Sequence, residues 1–221
     1  MIGRQLKAPL LDSSRNYPVL TVTGPRQSGK TTLVRAVFPK HAYASVEDPD
    51  TRAFALEDPR GFLNQFTGGV ILDEVQRTPE LLSYLQGEVD RDKTPGRFVL
   101  TGSQNLLLLD AVSQSLAGRA AIFHLLPFSR SELRKRVPIS LGDIGRKVPS
   151  VAKDDHSLFE VLHTGFYPRI HDQHLEPQDW LGNYYQTYVE RDVRSVMNVG
   201  DLETFGRFVR LCAGRCGQLL N

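Results

Sequence analysis

Three short apolar runs punctuate the first half of the chain, each closing on small or charged polar residues. They are Val19-Leu20-Thr21-Val22-Thr23, Gly69-Val70-Ile71-Leu72-Asp73-Glu74 and Arg97-Phe98-Val99-Leu100-Thr101-Gly102-Ser103-Gln104. Runs of this length that lack one-sided alternation predict strands buried on both faces of a parallel sheet. Between them, apolar positions recur at helical spacing. Residues 30–38 predict a helix, and residues 53–66 carry Phe54, Leu56, Phe62, Leu63 and Phe66, with Pro59 opening a new helix. Another helix is expected from Pro79 to about Asp90 through Leu81, Leu82, Leu85 and Val89, and a leucine-rich one over 105–117, closed by Gly118. His41 to Val46 and Ala120 to Leu126 read as further strands, and Leu6, Leu10 and Leu11 give residues 4–15 one apolar face. Strands alternating with helices predict an α/β core over residues 1–127.

After Pro127 the pattern changes. Ser129 to Arg136 reads as a short basic helix, Val137 to Asp155 is polar and linker-like, and residues 157–214 are helical with breaks near Pro168 and Pro177. Residues 128–221 therefore read as a second, α-helical segment. Within it Trp180, Tyr184, Tyr185 and Tyr188 recur as a packing stripe. The basic cluster Arg130, Arg134, Lys135 and Arg136 has no interleaved aromatics for base stacking and reads as a solvated face.

Composition narrows the classes. With 221 residues, 40% hydrophobic and 24% charged, the chain is that of an ordinary globular protein able to bury a sizeable core. Its 27 Lys+Arg against 25 Asp+Glu leave a net charge of +2, too small a field to imply nucleic acid or an anionic membrane by itself. No apolar run approaches a membrane span and the first residues lack a signal-peptide core, so a cytoplasmic location is expected. Cys212 and Cys216 lie one helical turn apart and read as packing residues. They make neither a disulfide framework nor, with His171 and His174, a convincing zinc site.

Chemistry concentrates at the ends of the apolar runs. Gly24-Pro25-Arg26-Gln27-Ser28-Gly29-Lys30-Thr31, followed by Thr32, has the spacing of a P-loop, whose backbone N–H groups cradle phosphates at a helix N-terminus. Lys30 is expected to reach the β- and γ-phosphates of ATP, and Thr31 to sit on Mg²⁺. Asp73 and Glu74, ending an apolar strand, read as a Walker B pair: Asp73 for the metal shell, Glu74 as the base that orients and deprotonates water. Thr101, Ser103 and Gln104 are candidates to face the γ-phosphate, with Ser103 favoured. Arg119, between a helix and the fifth strand, is placed to face a γ-phosphate in a neighbouring subunit. Arg191 or Arg194 are candidates to reach a phosphate from the helical segment.

The blocks Gly24–Thr32, Ile71-Leu72-Asp73-Glu74-Val75-Gln76, Leu100-Thr101-Gly102-Ser103, Ser115-Leu116-Ala117-Gly118-Arg119 and Glu190-Arg191-Asp192-Val193 together resemble one family. It is the bacterial and archaeal group of AAA+ ATPases in which the core is followed by a carboxy-terminal domain of unknown function. The resemblance implies a RecA-like P-loop NTPase with a parallel sheet of order 5-1-4-3-2, followed by a partial α-helical domain. It also implies ATP and Mg²⁺ as ligands. Family members run on past the segment matching Gly217-Gln218-Leu219-Leu220-Asn221, so a truncated helical domain is expected. An Mg²⁺-dependent ATPase with coupled conformational change is the leading expectation, with self-association and an unidentified protein or DNA partner open. The alternatives are an ATP-binding regulatory protein without turnover and, less favoured, a P-loop kinase. A GTPase is disfavoured by the lack of an Asn-Lys-x-Asp segment.

Overall fold

The computed structural model describes residues 2–103, 112, 114–137, 142, 157–189, 202–215 and 218. Gln104, most of the helix expected over 105–117, most of the linker-like stretch, Glu190-Arg191-Asp192, Arg194 and Cys216 lie outside the described residues. The chain divides into two compact units, residues 1–174 and 175–221.

Five parallel strands form the sheet of the first unit: β1 (Val19–Gly24), β2 (Ala42–Ser45), β3 (Val70–Asp73), β4 (Phe98–Ser103) and β5 (Ala120–His124). Their order is β2-β3-β4-β1-β5, the expected 5-1-4-3-2 read from the other edge. In β1, Val19 pairs with Phe98 on one side and Ala120 on the other, so all three strands run in register toward the same edge. β3 pairs Val70 with Phe98 and, on its outer side, Ser45 with Asp73. Loops leaving the carboxyl ends of β1, β3 and β4 therefore converge, which is where a parallel sheet collects its ligands.

The apolar runs explain the layering. Successive residues of a strand point to opposite faces. Val19, Val70, Leu72, Phe98 and Leu100 pack on one face against Phe62, Leu63, Leu81, Leu82, Leu85 and Val89. Leu20, Val22, Ile71 and Val99 pack on the other against Leu10, Leu33, Val34, Val37 and Phe38. Each such side chain contributes about 1.5–3 kcal/mol on burial. The helices that cover the faces are α1 (Lys7–Ser13), α2 (Lys30–Val37), α3 (Pro49–Glu57), α4 (Pro59–Asn64) and α5 (Leu81–Arg91). Pro59 does open a new helix: Asp58 caps it, accepting from the Gly61 N–H at 2.9 Å, as Asp48 caps α3 from the Thr51 N–H at 2.9 Å.

Residues 130–133 form a single helical turn closed by a capping box, with Ser129 and Glu132 each bonding the other's backbone N–H. Glu132, at 8% exposure, anchors a segment whose basic residues alone caught attention in the sequence. Helices follow at Leu158–Thr164 and Pro168–Gln173, with the expected break before Pro168. The second unit has a helix at Pro177–Tyr184 that continues as a π-helical stretch over Tyr185–Val189, and a helix at Leu202–Gly214. Trp180 and Tyr184 stack there with ring centroids 5.1 Å apart. Among the described residues no helix is long and apolar enough to cross a membrane, and no cluster of metal-ligating side chains of the His/Cys/Asp/Glu type is present.

Candidate functional site

The loop from Gly24 to Lys30 is a chain of backbone conformations that its sequence permits. Gly24 has φ +152°, Gln27 φ +60° and Gly29 φ +91°. A Cβ on Gly24 would stand 2.1 Å from the backbone oxygen of Leu125, just past β5. The edge strand, as much as any ligand, thus requires glycine there. Gly24→Ala is expected to cost about 1–3 kcal/mol in the ligand-free chain. Thermal melting reads this directly, and an unshifted midpoint would contradict the contact.

Gly29 caps α2 without a side-chain hydrogen bond, which leaves the helix's first N–H groups without a capping side chain. The Ser28 hydroxyl is buried and has no partner. Lys30, only 5% exposed, turns back into the loop and donates to the Gly24 carbonyl at 3.1 Å and the Pro25 carbonyl at 3.0 Å. Burial pushes its pKa down, opposed by the carboxylates of Glu74 and Asp73 and aided by Arg26. A buried ammonium, helical N–H groups without a capping side chain and a buried hydroxyl within one loop are groups that suit an anion.

Asp73, 6% exposed, is the hub of the adjoining strand end. Thr31 Oγ1 donates to its two oxygens at 3.1 and 3.0 Å, the Tyr43 hydroxyl to Oδ2 at 2.8 Å, and the Thr101 hydroxyl to Oδ1. A carboxylate and a hydroxyl facing each other beside the Gly24–Lys30 loop are hard oxygen donors of the kind that suit Mg²⁺, so these residues fit that ion. Tyr43 is pushed up to about 12, first by burial and then by its bond to Asp73, and so remains a donor at neutral pH. Arg35 lies over its ring, 4.8 Å from the centroid.

Glu74 follows in a left-handed conformation, φ +62° and ψ +40°. For a residue with a side chain this is strained, and such strain gathers at working sites. Its backbone N–H reaches the Thr101 hydroxyl at 3.4 Å, and Gln76 Nε2 bonds both Glu74 Oε2 and Ser103 Oγ, the latter at 3.0 Å. The structure therefore brings Lys30, Thr31, Asp73, Glu74, Thr101 and Ser103 together. Arg119 stands apart. It precedes β5, at the amino edge of the sheet, and is held by Asp90 of α5 in a two-pronged ion pair of 2.7 and 3.1 Å.

Neither Tyr43 nor Arg4 stands in any motif of the sequence, and Gln76 appears there only as the end of the Ile71–Gln76 block. Arg4 donates to the Ser28 carbonyl at 2.8 Å, pairs with Glu132 at 3.2 Å and lies over the Phe128 ring at 4.7 Å, stapling the loop to the segment after β5. Beside that staple, Ile2, Gly3, Thr32, Leu33, Phe128 and Pro168 line a cavity of about 220 Å³ that also touches Gly29. The strand register could have revealed Tyr43, because Ser45 pairs with Asp73 and Tyr43 lies two residues before it. For Arg4 no local signal exists.

The AAA domain family matches residues 16–134, and a domain of unknown function matches residues 155–221. The uncharacterised proteins Mb2031c of Mycobacterium bovis and Rv2008c of Mycobacterium tuberculosis are each 33% identical over 221 residues, 99% of this chain and 46% of theirs. The chain thus spans about half the length of the curated relatives it matches. Among solved structures, AMPPCP-bound DnaA from Aquifex aeolicus is similar at 16% identity and a TM-score of 0.45, over 86% of this chain and 62% of that one.

Proposed function

We propose, from the premise that this chain belongs to the AAA domain family, that it binds ATP with Mg²⁺ and hydrolyses it to ADP and phosphate, coupling turnover to rearrangement against its helical segment. The observation that carries this reading is the Thr31–Asp73 pair, set between the buried Lys30 and the strained Glu74. The loop Gly24, Pro25, Arg26, Gln27, Ser28, Gly29, Lys30, Thr31 and Thr32 would hold the phosphates. The neighbouring cavity at Ile2, Thr32 and Phe128 would receive the nucleoside.

Thr31 and Asp73 would hold Mg²⁺, which supplies charge neutralisation at the phosphate oxygens when bound. Glu74 orients a water and takes its proton as the water oxygen bonds to the γ-phosphorus. The bond to the β–γ bridging oxygen breaks in line, and ADP leaves with that electron pair. Lys30 stabilises the charge gathering on the leaving side, and Ser103 faces the γ-phosphate. Hydrolysis is favoured over phosphoryl transfer to another acceptor because a second carboxylate stands directly after Asp73.

The test is phosphate release with and without a Mg²⁺ chelator, across protein concentrations. Turnover that needs Mg²⁺ is expected; a chain that neither binds nor hydrolyses ATP would remove the reading. Arg119 would act from a neighbouring copy, leaving Asp90 to do so. Turnover per subunit is then expected to rise with protein concentration, and Arg119→Ala to remove that rise. A rise of the same size in Arg119→Ala would strike Arg119 from the site.

A further inference from the structure

We propose that Gln76 is a positioning residue for Glu74, and that its side-chain amide joins the base to Ser103 so that the two respond to the γ-phosphate as one unit. This inference rests on the reading of the site as an ATPase. Gln76 belongs to the short 3-10 turn Val75–Arg77 that leaves β3. The left-handed turn at Glu74 reverses the chain there and brings the side chain two residues on back beside the carboxylate.

The amide has two N–H groups and both are used. Nε2 donates to Glu74 Oε2 and to Ser103 Oγ, the second at 3.0 Å. The opposite orientation of the amide would set its carbonyl oxygen against a carboxylate, so the nitrogen must face Glu74. Oε1 is buried and has no partner. Among the described residues the amide's plane is set by Glu74 and Ser103.

What glutamine brings to this position, and an apolar side chain of similar size would not, is its two donors. They connect the ends of β3 and β4, the two strands whose final residues face the phosphate loop, and make a change at Ser103 a change in the aim of Glu74. Without the amide, Glu74 keeps its charge and loses its direction.

The test uses the full chain with Gln76→Ala and Gln76→Glu. The glutamate variant keeps the volume but, ionised, cannot donate, and it sets a second carboxylate beside Glu74, so it is assayed up to a pH at which both are ionised. Steady-state turnover is measured together with affinity for ADP and for ADP with fluoroaluminate, a mimic of the transferring phosphoryl group, and with thermal melting. In both variants kcat is expected to fall at least about tenfold with KM within about twofold, the signature of an interaction used in the transition state. ADP affinity should hold, whereas the extra tightness for ADP with fluoroaluminate should shrink by a similar factor.

Adding Ser103→Ala to Gln76→Ala should cost little more, because residues that act as one unit are non-additive. If the wild type turns over and the variants match it in kcat and in fluoroaluminate preference, the inference is wrong while the ATPase reading stands. Activity retained by the isosteric Gln76→Glu would likewise reduce Gln76 to a packing role. A wild type that neither turns over nor prefers the fluoroaluminate complex overturns the ATPase reading and the inference with it.

Discussion

Glu74→Gln is expected to keep nucleotide affinity within about twofold and to lose turnover by roughly 10²–10⁴-fold, the range of a positioned general base. The variant is nearly isosteric, so the left-handed backbone at Glu74, the Thr101 contact and the Asp73 hub are preserved. What is removed is the ability to accept a proton from water. The replacement amide can still turn its oxygen toward Gln76 Nε2 and keep that bond. Equilibrium binding of ATP and single-turnover phosphate release separate the two effects. Turnover equal to wild type would show that the base lies elsewhere, and lost binding would show that Glu74 serves the ground state.

The second large effect falls on Lys30. Lys30→Ala is expected to weaken ATP binding at least ~100-fold, since in the proposed reading it deletes charge-assisted hydrogen bonds to phosphate. The same change should not destabilise the ligand-free chain. Burial depresses the pKa of Lys30, so its ammonium is more costly folded than unfolded, and its carbonyl partners at Gly24 and Pro25 offset that only in part. A melting midpoint equal to or above wild type, beside a collapsed affinity, is the combination sought. A lower midpoint would mean that the loop needs the lysine to hold its shape.

These effects centre on residues that their own neighbours make visible. β1, β3 and β4 announce themselves because a strand buried on both faces must be apolar throughout, and the residue that ends such a run must be polar for a reason. The glycine spacing before Lys30 is equally local: the loop's positive φ angles fall mainly on residues chosen to permit them. Strand order is different. Pattern alone does not order five parallel strands, and here the order came from resemblance to a family.

What pattern could not supply is contact between distant segments. Tyr43 sits on a half-exposed edge strand and reads as an ordinary aromatic until β2 is laid beside β3 in register. Glu132 lies among arginines and a lysine, so the segment looked like a solvated basic face, although the buried carboxylate ties it down. Arg119 looked free to reach out, but Asp90 holds it through charge and geometry that lie 29 residues apart in sequence. Composition near each residue carries none of this information.

The staple built by Arg4 has a consequence for how the protein comes into being. Its partners include the Ser28 carbonyl, the Leu126 carbonyl and Glu132, the last 128 residues downstream. A ribosome delivers the Gly24–Lys30 loop early and the carboxylate that anchors the staple late. Until Glu132 has emerged, Arg4 lacks its carboxylate partner and the wall of the cavity at Phe128 is not yet made. Nascent chains should therefore close the staple and complete the cavity wall in a single late step, after the Gly24–Lys30 loop has already left the tunnel.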